Sequence, residues 1–286
     1  MLVRSLHVYP IKSARGLDPQ TAKVEPWGLS GDRRWMLVDE DGVLISARTE
    51  ARLFLVTPKP EPGGALIVEG PHAAPLRLVP PTGSPIPVQV HRSRFVAIPA
   101  GPVADAWFGA LLGRDDVRLV WMDDPMRRPT NPDYSEPTDR VSLADGYPLL
   151  LTTTASLEQL NDWIATDAAE RGQPAQEPLS MRRFRPNVVV DEADVPFAED
   201  VWKRIRVGDV DFRVVKPCTR CVMTTIEPDT LAKGKEPLRT LARHHKWNGE
   251  TWFGMNIIPD RPDRSNRSNR PRRDVMHVGD PVEVLA

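Results

Sequence analysis

Thirty prolines among 286 residues constrain this chain more than any other feature. Proline removes a backbone donor and collides with the preceding helical turn, so at about twice ordinary usage it leaves little uninterrupted length for helices. Many short strands joined by turns fit such punctuation better. Leu2 to Val8 alternates apolar and polar residues and reads as a half-buried strand. Trp35 to Val38 and Val43 to Ile45 flank Asp41-Gly42, a pair that supplies the positive φ a tight hairpin needs. Leu53 to Thr57 and Ala65 to Val68 read as further short strands around a Pro/Gly turn.

Two segments read as helices. Pro102 to Gly113 has a proline near its start, Val103, Trp107 and Leu111 on one face, and a glycine at its end. In Thr154 to Arg171 the apolar Leu157, Leu160 and Ile164 line one side, Ser156 and Gln159 fit a capping box, and Gly172 fits a stop. After residue 183 strand patterns return at Asn187 to Val190, Ile205 to Gly208, Val210 to Val215 and Val222 to Ile226. The turn Val207-Gly208-Asp209-Val210 is echoed by Val278-Gly279-Asp280-Pro281, as two turns of one small barrel would be. Asp123 to Asp139, rich in Pro, Asp, Arg and Thr, fits a linker or a mobile loop over a site. The charged run Asp260 to Arg273 fits a solvated loop.

With 40% hydrophobic and 27% charged residues the composition is globular, and a chain of this length buries a full core without staples. The formal net charge of -1 supplies no global field toward nucleic acid or an anionic membrane, so neither is expected as a partner. An anionic ligand must then be held by a local cluster of Lys and Arg. The N-terminal segment lacks a signal-type apolar stretch, and no apolar run is of membrane-spanning length. Together with a count of only two cysteines, this points to the cytoplasm.

Those cysteines lie in Lys216-Pro217-Cys218-Thr219-Arg220-Cys221. A zinc site would need two more ligands, and the nearby candidates, His244 and His245, are adjacent residues that point apart unless the backbone turns. A thioredoxin-type dithiol opens a helix, whereas a β-branched run, Val222 to Ile226, follows here. Two buried cysteines acting as small hydrophobes fit as well. So does a soft-metal ligand, its thiol acidified by Lys216 and Arg220. One cysteine cannot hold a metal alone, so such a metal would arrive in a cofactor with its own ligands, anchored by basic side chains and backbone N–H groups.

A longer ordered set of motifs bears on that choice. Phe184-Arg185-Pro186-Asn187-Val188-Val189-Val190, Ala198-Glu199-Asp200 with Trp202, Gly208-Asp209-Val210, Pro217-Cys218-Thr219-Arg220-Cys221 with Thr224-Thr225 and Asp229-Thr230, Lys235-Glu236-Pro237-Leu238 and Val278-Gly279-Asp280-Pro281-Val282 together resemble the MOSC domain, named for the C-terminal region of molybdenum cofactor sulfurase. Tyr9-Pro10-Ile11-Lys12-Ser13, Gly28-Leu29-Ser30-Gly31-Asp32-Arg33 and Ala47-Arg48 resemble its companion N-terminal β-barrel domain. The resemblance covers almost the whole chain. Within the family the likeness is to the amidoxime-reducing component of mitochondria and to bacterial members that detoxify N-hydroxylated bases.

The resemblance implies a mainly β (α+β) fold: two β-barrel-like lobes with a few short helices, a cofactor cleft between them, and domains at 1–121 and 122–286. It implies a molybdenum cofactor, molybdenum on a pterin dithiolene, with Cys221 as the protein's metal ligand and Cys218 as a packing neighbour. Lys12, Ser13 and Arg33 would meet the pterin's phosphate or polar ring groups, with Lys as a point charge and Arg as a planar fork. Arg185 and Asn187 would hold the pterin's polar edge, and Thr219 and Arg220 would add contacts beside the ligand. Asp145, in Ala144-Asp145-Gly146-Tyr147-Pro148, would sit near the metal as a proton relay or orienter. Gly146 and Tyr147 depart from the small hydroxyl residues of animal relatives, so cofactor contacts there pass to backbone N–H groups or vanish. The implied activity is two-electron removal of oxygen from small N-hydroxylated substrates, and the alternative is a carrier of the cofactor or of its sulfur. With no cysteine after Cys221 for an iron–sulfur cluster and no Gly-x-Gly-x-x-Gly fingerprint, electrons are expected from a separate donor: a ferredoxin, flavoprotein or b-type cytochrome. Pyridoxal phosphate on Lys12 is not expected.

Overall fold

The computed structural model describes residues 1–174, 176–260 and 274–286. Most of it is β-structure in two barrel-like lobes, with three α-helices among the described residues. The larger sheet has eight strands. Its path runs Leu2–Leu6, Val188–Asp191, Leu149–Thr153, Glu250–Pro259, Val210–Thr219, Arg204–Val207 and Val282–Val284, and Lys246–Trp247 pairs with Glu250–Pro259 off this path. Leu149–Thr153 and Val188–Asp191 run parallel, the connection that the helix Thr154–Glu170 makes possible. Main-chain bonds Val3 N to Asp280 O (2.9 Å) and Gly279 N to Val3 O (2.8 Å) nearly close the sheet on itself. Inside lie Leu6, Leu151, Val188, Phe212 and Ile257, each fully buried. The strand at the very start of the chain thus completes the sheet built by its second half.

The smaller lobe is a half-barrel of five antiparallel strands in the order Leu44–Ile45, Trp35–Val38, Arg118–Trp121, Ser93–Pro99 and Ile86–Val90. The helix Pro102–Leu112 packs Phe108 and Leu112 into its core, and Gly113 ends it in the left-handed conformation. A second core links Met36 and Val38 with Val88, Val120 and Leu143. The Asp41-Gly42 hairpin forms as the sequence indicates.

The two Gly-Asp turns pack against each other, with Gly208 N donating to Pro281 O at 2.9 Å. Asp123 to Asp139 is tied down: it holds two single-turn 3-10 segments, and Arg128, Thr130 and Asp139 in it are buried. The expected loop Asp260 to Arg273 lies, after Asp260, outside the described residues.

Three local expectations need correction. Ala51–Leu55 is a 3-10 turn that buries the consecutive Leu53 and Phe54, and the strand begins only at Thr57; an apolar run without alternation does not discriminate the two. Val222–Thr225 is also a 3-10 turn. Its threonine hydroxyls bond back to carbonyls three residues earlier, Thr224 to Cys221 O at 2.9 Å and Thr225 to Val222 O at 2.8 Å, which satisfies locally what β-branching suggested for a strand. The helix Thr154–Glu170 is capped by Thr153, whose hydroxyl accepts from Ser156 N, while the Ser156 hydroxyl turns to buried Glu199.

The paired strands Val210–Thr219 and Glu250–Pro259 carry two opposed bulges, one between Val214 and Lys216 and one opposite Pro217 to Thr219. Bulges bend and twist a ribbon, and these two lie just before Arg220 and Cys221. Gly254, in the second bulge, has φ +73, and a Cβ there would stand 2.6 Å from Leu151 O. Gly254→Ala is therefore expected to cost about 1–3 kcal/mol or more. Urea unfolding would measure this, and an unchanged midpoint would show that the bulge is not held as described.

Candidate functional site

One cleft between the lobes, about 840 Å³ including its open mouth, gathers every residue that the family resemblance implies for the cofactor and metal, while Lys216 lies outside it over the rings of Tyr134 and Trp252. Lys12 and Ser13 enter from the crossing that follows the first strand, and Arg33 from the turn after Gly28–Leu29. Asp145, Gly146 and Tyr147 lie on the loop before Leu149–Thr153, and Arg185 and Asn187 stand just before Val188–Asp191. Thr219, Arg220 and Cys221 come at the end of Val210–Thr219. Ser13, Arg33 and Arg185 have φ of 72°, 45° and 56°, a left-handed conformation uncommon for non-glycine residues and frequent at functional positions. Gly28 (φ +127) lets its turn lie against the Asp145 loop, since a Cβ there would meet Pro148 O at 2.9 Å.

Asp145 is the hub. Its Oδ1 accepts from Lys12 Nζ at 2.5 Å and lies 3.4 Å from His91 Nε2, and its Oδ2 accepts from Arg48 Nη2 at 2.9 Å. Desolvation would raise the pKa of this carboxyl, but Lys12, His91 and Arg48 overcome it and hold the group well below the usual carboxylate range. Arg48 also feels the Cys221 thiol: burial works against its charge, and Asp145 and then Cys221 outweigh that. Buried Arg128 fixes the loop from behind, donating to the carbonyls of Ser142, Ala144 (2.6 Å) and Asp145 (3.0 Å).

Arg33 ties the lobes together. It donates to Asp32 Oδ2 at 2.6 Å, to Asn187 Oδ1 at 2.9 Å and to Arg185 O at 3.3 Å. Its guanidinium and that of Arg185 both stack on Tyr9, at 4.4 and 4.2 Å from the ring centroid. Asn187 is spent internally, donating to His7 O at 3.1 Å and accepting from Arg33 and from Leu150 N; it holds Arg33 in place. Arg220 donates to Cys218 Sγ at 3.1 Å and to Phe184 O at 2.7 Å. Thr219 is exposed, and both cysteines are free and half-buried.

Six cationic side chains and one carboxylate line the cleft, a local field that a net charge of -1 does not reveal. Tyr147 Oη, Arg183 Nε and Arg220 Nε, all on lining residues, are buried without a hydrogen-bond partner among the described residues. Each such group costs about 1–3 kcal/mol when left unsatisfied. No three His, Cys, Asp or Glu side chains among the described residues converge as a metal site. His244 and His245 face Asp167 (3.1 Å) and Asp200 (2.8 Å). A metal here would have to bring most of its own ligands to Cys221. Orphaned donors, clustered cations and the free thiol of Cys221, beside a Cys218 already engaged by Arg220, all fit an anionic cofactor that carries a soft metal.

Sequence reasoning missed the roles of Arg48, His91, Arg128 and Tyr9. Arg48 and Tyr9 were visible only as parts of motifs. His91 lies at a hairpin turn and Arg128 in a proline-rich stretch, and nothing local marks either one.

The chain carries both domains of one family. Residues 1–115 match the MOSC N-terminal beta barrel domain and residues 138–283 the MOSC domain, so the chain belongs to the MOSC family. Among its relatives it is 31% identical over 256 residues to human mitochondrial amidoxime-reducing component 1, covering 85% of this chain and 72% of that protein. To rat mitochondrial amidoxime reducing component 2 it is 35% identical, over 84% of this chain and 71% of the relative. The zebrafish component 1 is 30% identical over 98% of this chain and 84% of its own length. No helix among the described residues is long and apolar enough to cross a membrane.

Burial pulls the Lys12 pKa from 10.5 down to about 8, with Asp145 opposing. The folded chain then releases this proton near pH 8 while the unfolded chain keeps it to about 10.5. Between those values the unfolded state binds more protons, so this group adds stability as pH rises. The cleft meanwhile loses a positive charge. Sulfate, whose own charge is constant in this range, is expected to bind cofactor-free protein several-fold more weakly at pH 9 than at pH 7, and the step should vanish in Lys12→Arg. Calorimetric titration reads both, and a pH-independent wild-type affinity would contradict the placement of Lys12.

Proposed function

We propose that this protein binds a molybdenum cofactor in the cleft and uses it to reduce small N-hydroxylated compounds, with electrons from a separate donor protein. The observation that carries the reading is a free, half-buried thiol, Cys221, facing a cleft lined by six cations and a single carboxylate, while its neighbour Cys218 is engaged by Arg220. The names of the relatives support the substrate class. Cys221 is the metal ligand in this reading, and Cys218, already taken by Arg220, is its neighbour.

When bound, the cofactor supplies a two-electron couple able to take oxygen from an N–O group. The chain's own residues do the rest. Lys12 and Arg33 neutralise the cofactor's anionic end, with Ser13, Arg185 and Thr219 beside them, and Asn187 acts by aiming Arg33. Tyr147 Oη and Arg220 Nε take the hydrogen bonds they otherwise lack, and the Gly146 backbone contributes where relatives use hydroxyls. Arg48 reaches both Asp145 and Cys221 and places a positive charge beside the proposed ligand. Asp145 holds the Lys12 ammonium in the cleft and passes protons. Loop carbonyls held by Arg128 keep Asp145 in position, so its geometry does not depend on the ligand.

The test is reduction of an amidoxime with a strong artificial electron donor, by protein from a cofactor-producing host. Wild type is expected to turn over and Cys221→Ala to fall to background. Unchanged turnover in a molybdenum-loaded Cys221→Ala protein would sink the assignment. A wild type that holds molybdenum but reduces no N-hydroxylated compound would instead make the protein a cofactor carrier.

A further inference from the structure

A donor protein has to reach this chain close to Cys221, and the residues that follow Cys221 leave an uncovered face on the larger lobe. Val222, the next residue, is 46% exposed, and Trp247 is 37% exposed. Trp247 stands at a hairpin where Lys246–Trp247 pairs with Glu250–Pro259. Its two turn residues, Asn248 and Gly249, have φ of 52° and 80°, positive at both positions as a type I′ turn requires. The ring is held too. It stacks on Trp252 at 5.5 Å, and Trp252 Nε1 donates to Trp247 O at 3.0 Å. Trp252 stands opposite Thr219 in the strand pairing, and Arg220 N donates to Thr251 O at 2.9 Å. Trp247 is therefore two strand spacings from the main chain of Arg220, roughly 10 Å, and Cys221 is the next residue.

The charge around this face is mostly of one sign. Lys233 bridges to Ile226 and Gly234 N donates to Thr225 O at 2.9 Å, which sets Lys233 and Lys235 beside the turn Val222–Thr225. Lys246 adjoins Trp247. All three lysines are exposed and have no ion pair among the described residues. The carboxylates of the same stretch are mostly answered: Glu227 by Arg183 at 2.5 Å, Asp229 by Arg15 at 2.6 Å and Glu236 by Arg239 at 3.7 Å. Glu250, paired across the hairpin with Trp247, is the one exposed carboxylate from 222 to 250 without an ion pair among the described residues. That carboxylate and the chain's net charge of -1 disfavour a polyanion such as nucleic acid. An exposed tryptophan and valine within a rim of unpaired lysines fit an acidic protein: the apolar contacts anchor it and the complementary charge steers it.

We propose that the face centred on Val222 and Trp247 is the docking site of an acidic electron-transfer protein, which delivers electrons through the Trp247–Trp252 stack and the Arg220–Thr251 bond toward Cys221; this rests on the reductase reading above. In each turnover the donor gives up two electrons and solvent gives up two protons. The substrate N–O bond breaks, nitrogen carries a hydrogen in place of its hydroxyl, and the oxygen leaves as water.

Two measurements on the full chain, purified from a cofactor-producing host, test this. The probes are three acidic donors: a plant-type [2Fe–2S] ferredoxin, a flavodoxin and the haem domain of a b-type cytochrome. In calorimetric titration at least one should bind, several-fold more weakly when salt is raised from about 50 to about 200 mM. It should bind roughly tenfold more weakly to the double variant Lys233→Glu, Lys235→Glu, and unchanged to Arg4→Glu, an exposed position on the strand Leu2–Leu6. Binding of none of the three, or equal weakening in Arg4→Glu, would overturn the proposal without reference to activity. In steady-state reduction of an amidoxime, Trp247→Ala should lower kcat/KM roughly tenfold with the donor that binds. It should keep the wild-type rate with reduced methyl viologen, which is small enough to enter the cleft without docking. A loss with both donors, or with neither, would overturn the proposal alone. A molybdenum-loaded wild type that reduces no amidoxime with either donor would remove the reductase reading and this proposal with it.

Discussion

The pairing of Leu2–Leu6 with Val188–Asp191 is the constraint on which the rest of the structure depends. The chain begins inside the larger barrel, with Leu6 opposite Val188 and His7 N bonded to Asn187 O at 2.9 Å. It must then cross to the smaller lobe, and the crossing carries Tyr9, Lys12 and Ser13 past the cleft. The second crossing, near Gly28 to Arg33, returns a cation to the same place. Leu6 is fully buried in the barrel core, and burial of such a side chain stabilises by about 1.5–3 kcal/mol. The anchoring of the cleft's cationic wall is therefore part of the hydrophobic core of the barrel it faces.

Electrostatics shape what that scaffold holds. Bringing six cations to one cleft is unfavourable unless anions answer them. Asp145 answers two directly, Lys12 and Arg48, and Asp32 answers Arg33. Tyr9 offers its ring face to Arg33 and Arg185. Arg185 and Arg128 still have pKa values lowered by burial to about 10, so the compensation is incomplete. A cleft in this condition is pre-organised for an anion: its donors are fixed by the fold, and among the described residues Tyr147 Oη and Arg220 Nε have no hydrogen-bond partner, which the proposed cofactor would supply.

Much of this was legible in the sequence because it is local. The Asp41-Gly42 hairpin, the two long helices and the paired Gly-Asp turns follow from periodicity and turn chemistry. The positions that converge on the cleft were legible through ordered motifs, which carry long-range information that no single segment holds. What escaped has physical reasons. Threonine hydroxyls at 224 and 225 satisfied themselves locally and turned a β-branched run into a 3-10 turn. Arg128 is among the most buried residues yet lies in a stretch whose composition suggests solvent. His91 acquires significance only through Asp145, more than fifty positions away in sequence. Contacts of that span leave no periodic trace.

The central claim is that Cys221 and the surrounding cations hold a molybdenum cofactor. Its most direct test is metal and pterin content of the protein from a cofactor-producing host, beside Cys221→Ser. Near-stoichiometric molybdenum and pterin in the wild type, with molybdenum lost from the variant, is the expected result. Protein that is folded but carries neither in the wild type, or a Cys221→Ser variant that keeps its molybdenum in full, would contradict it.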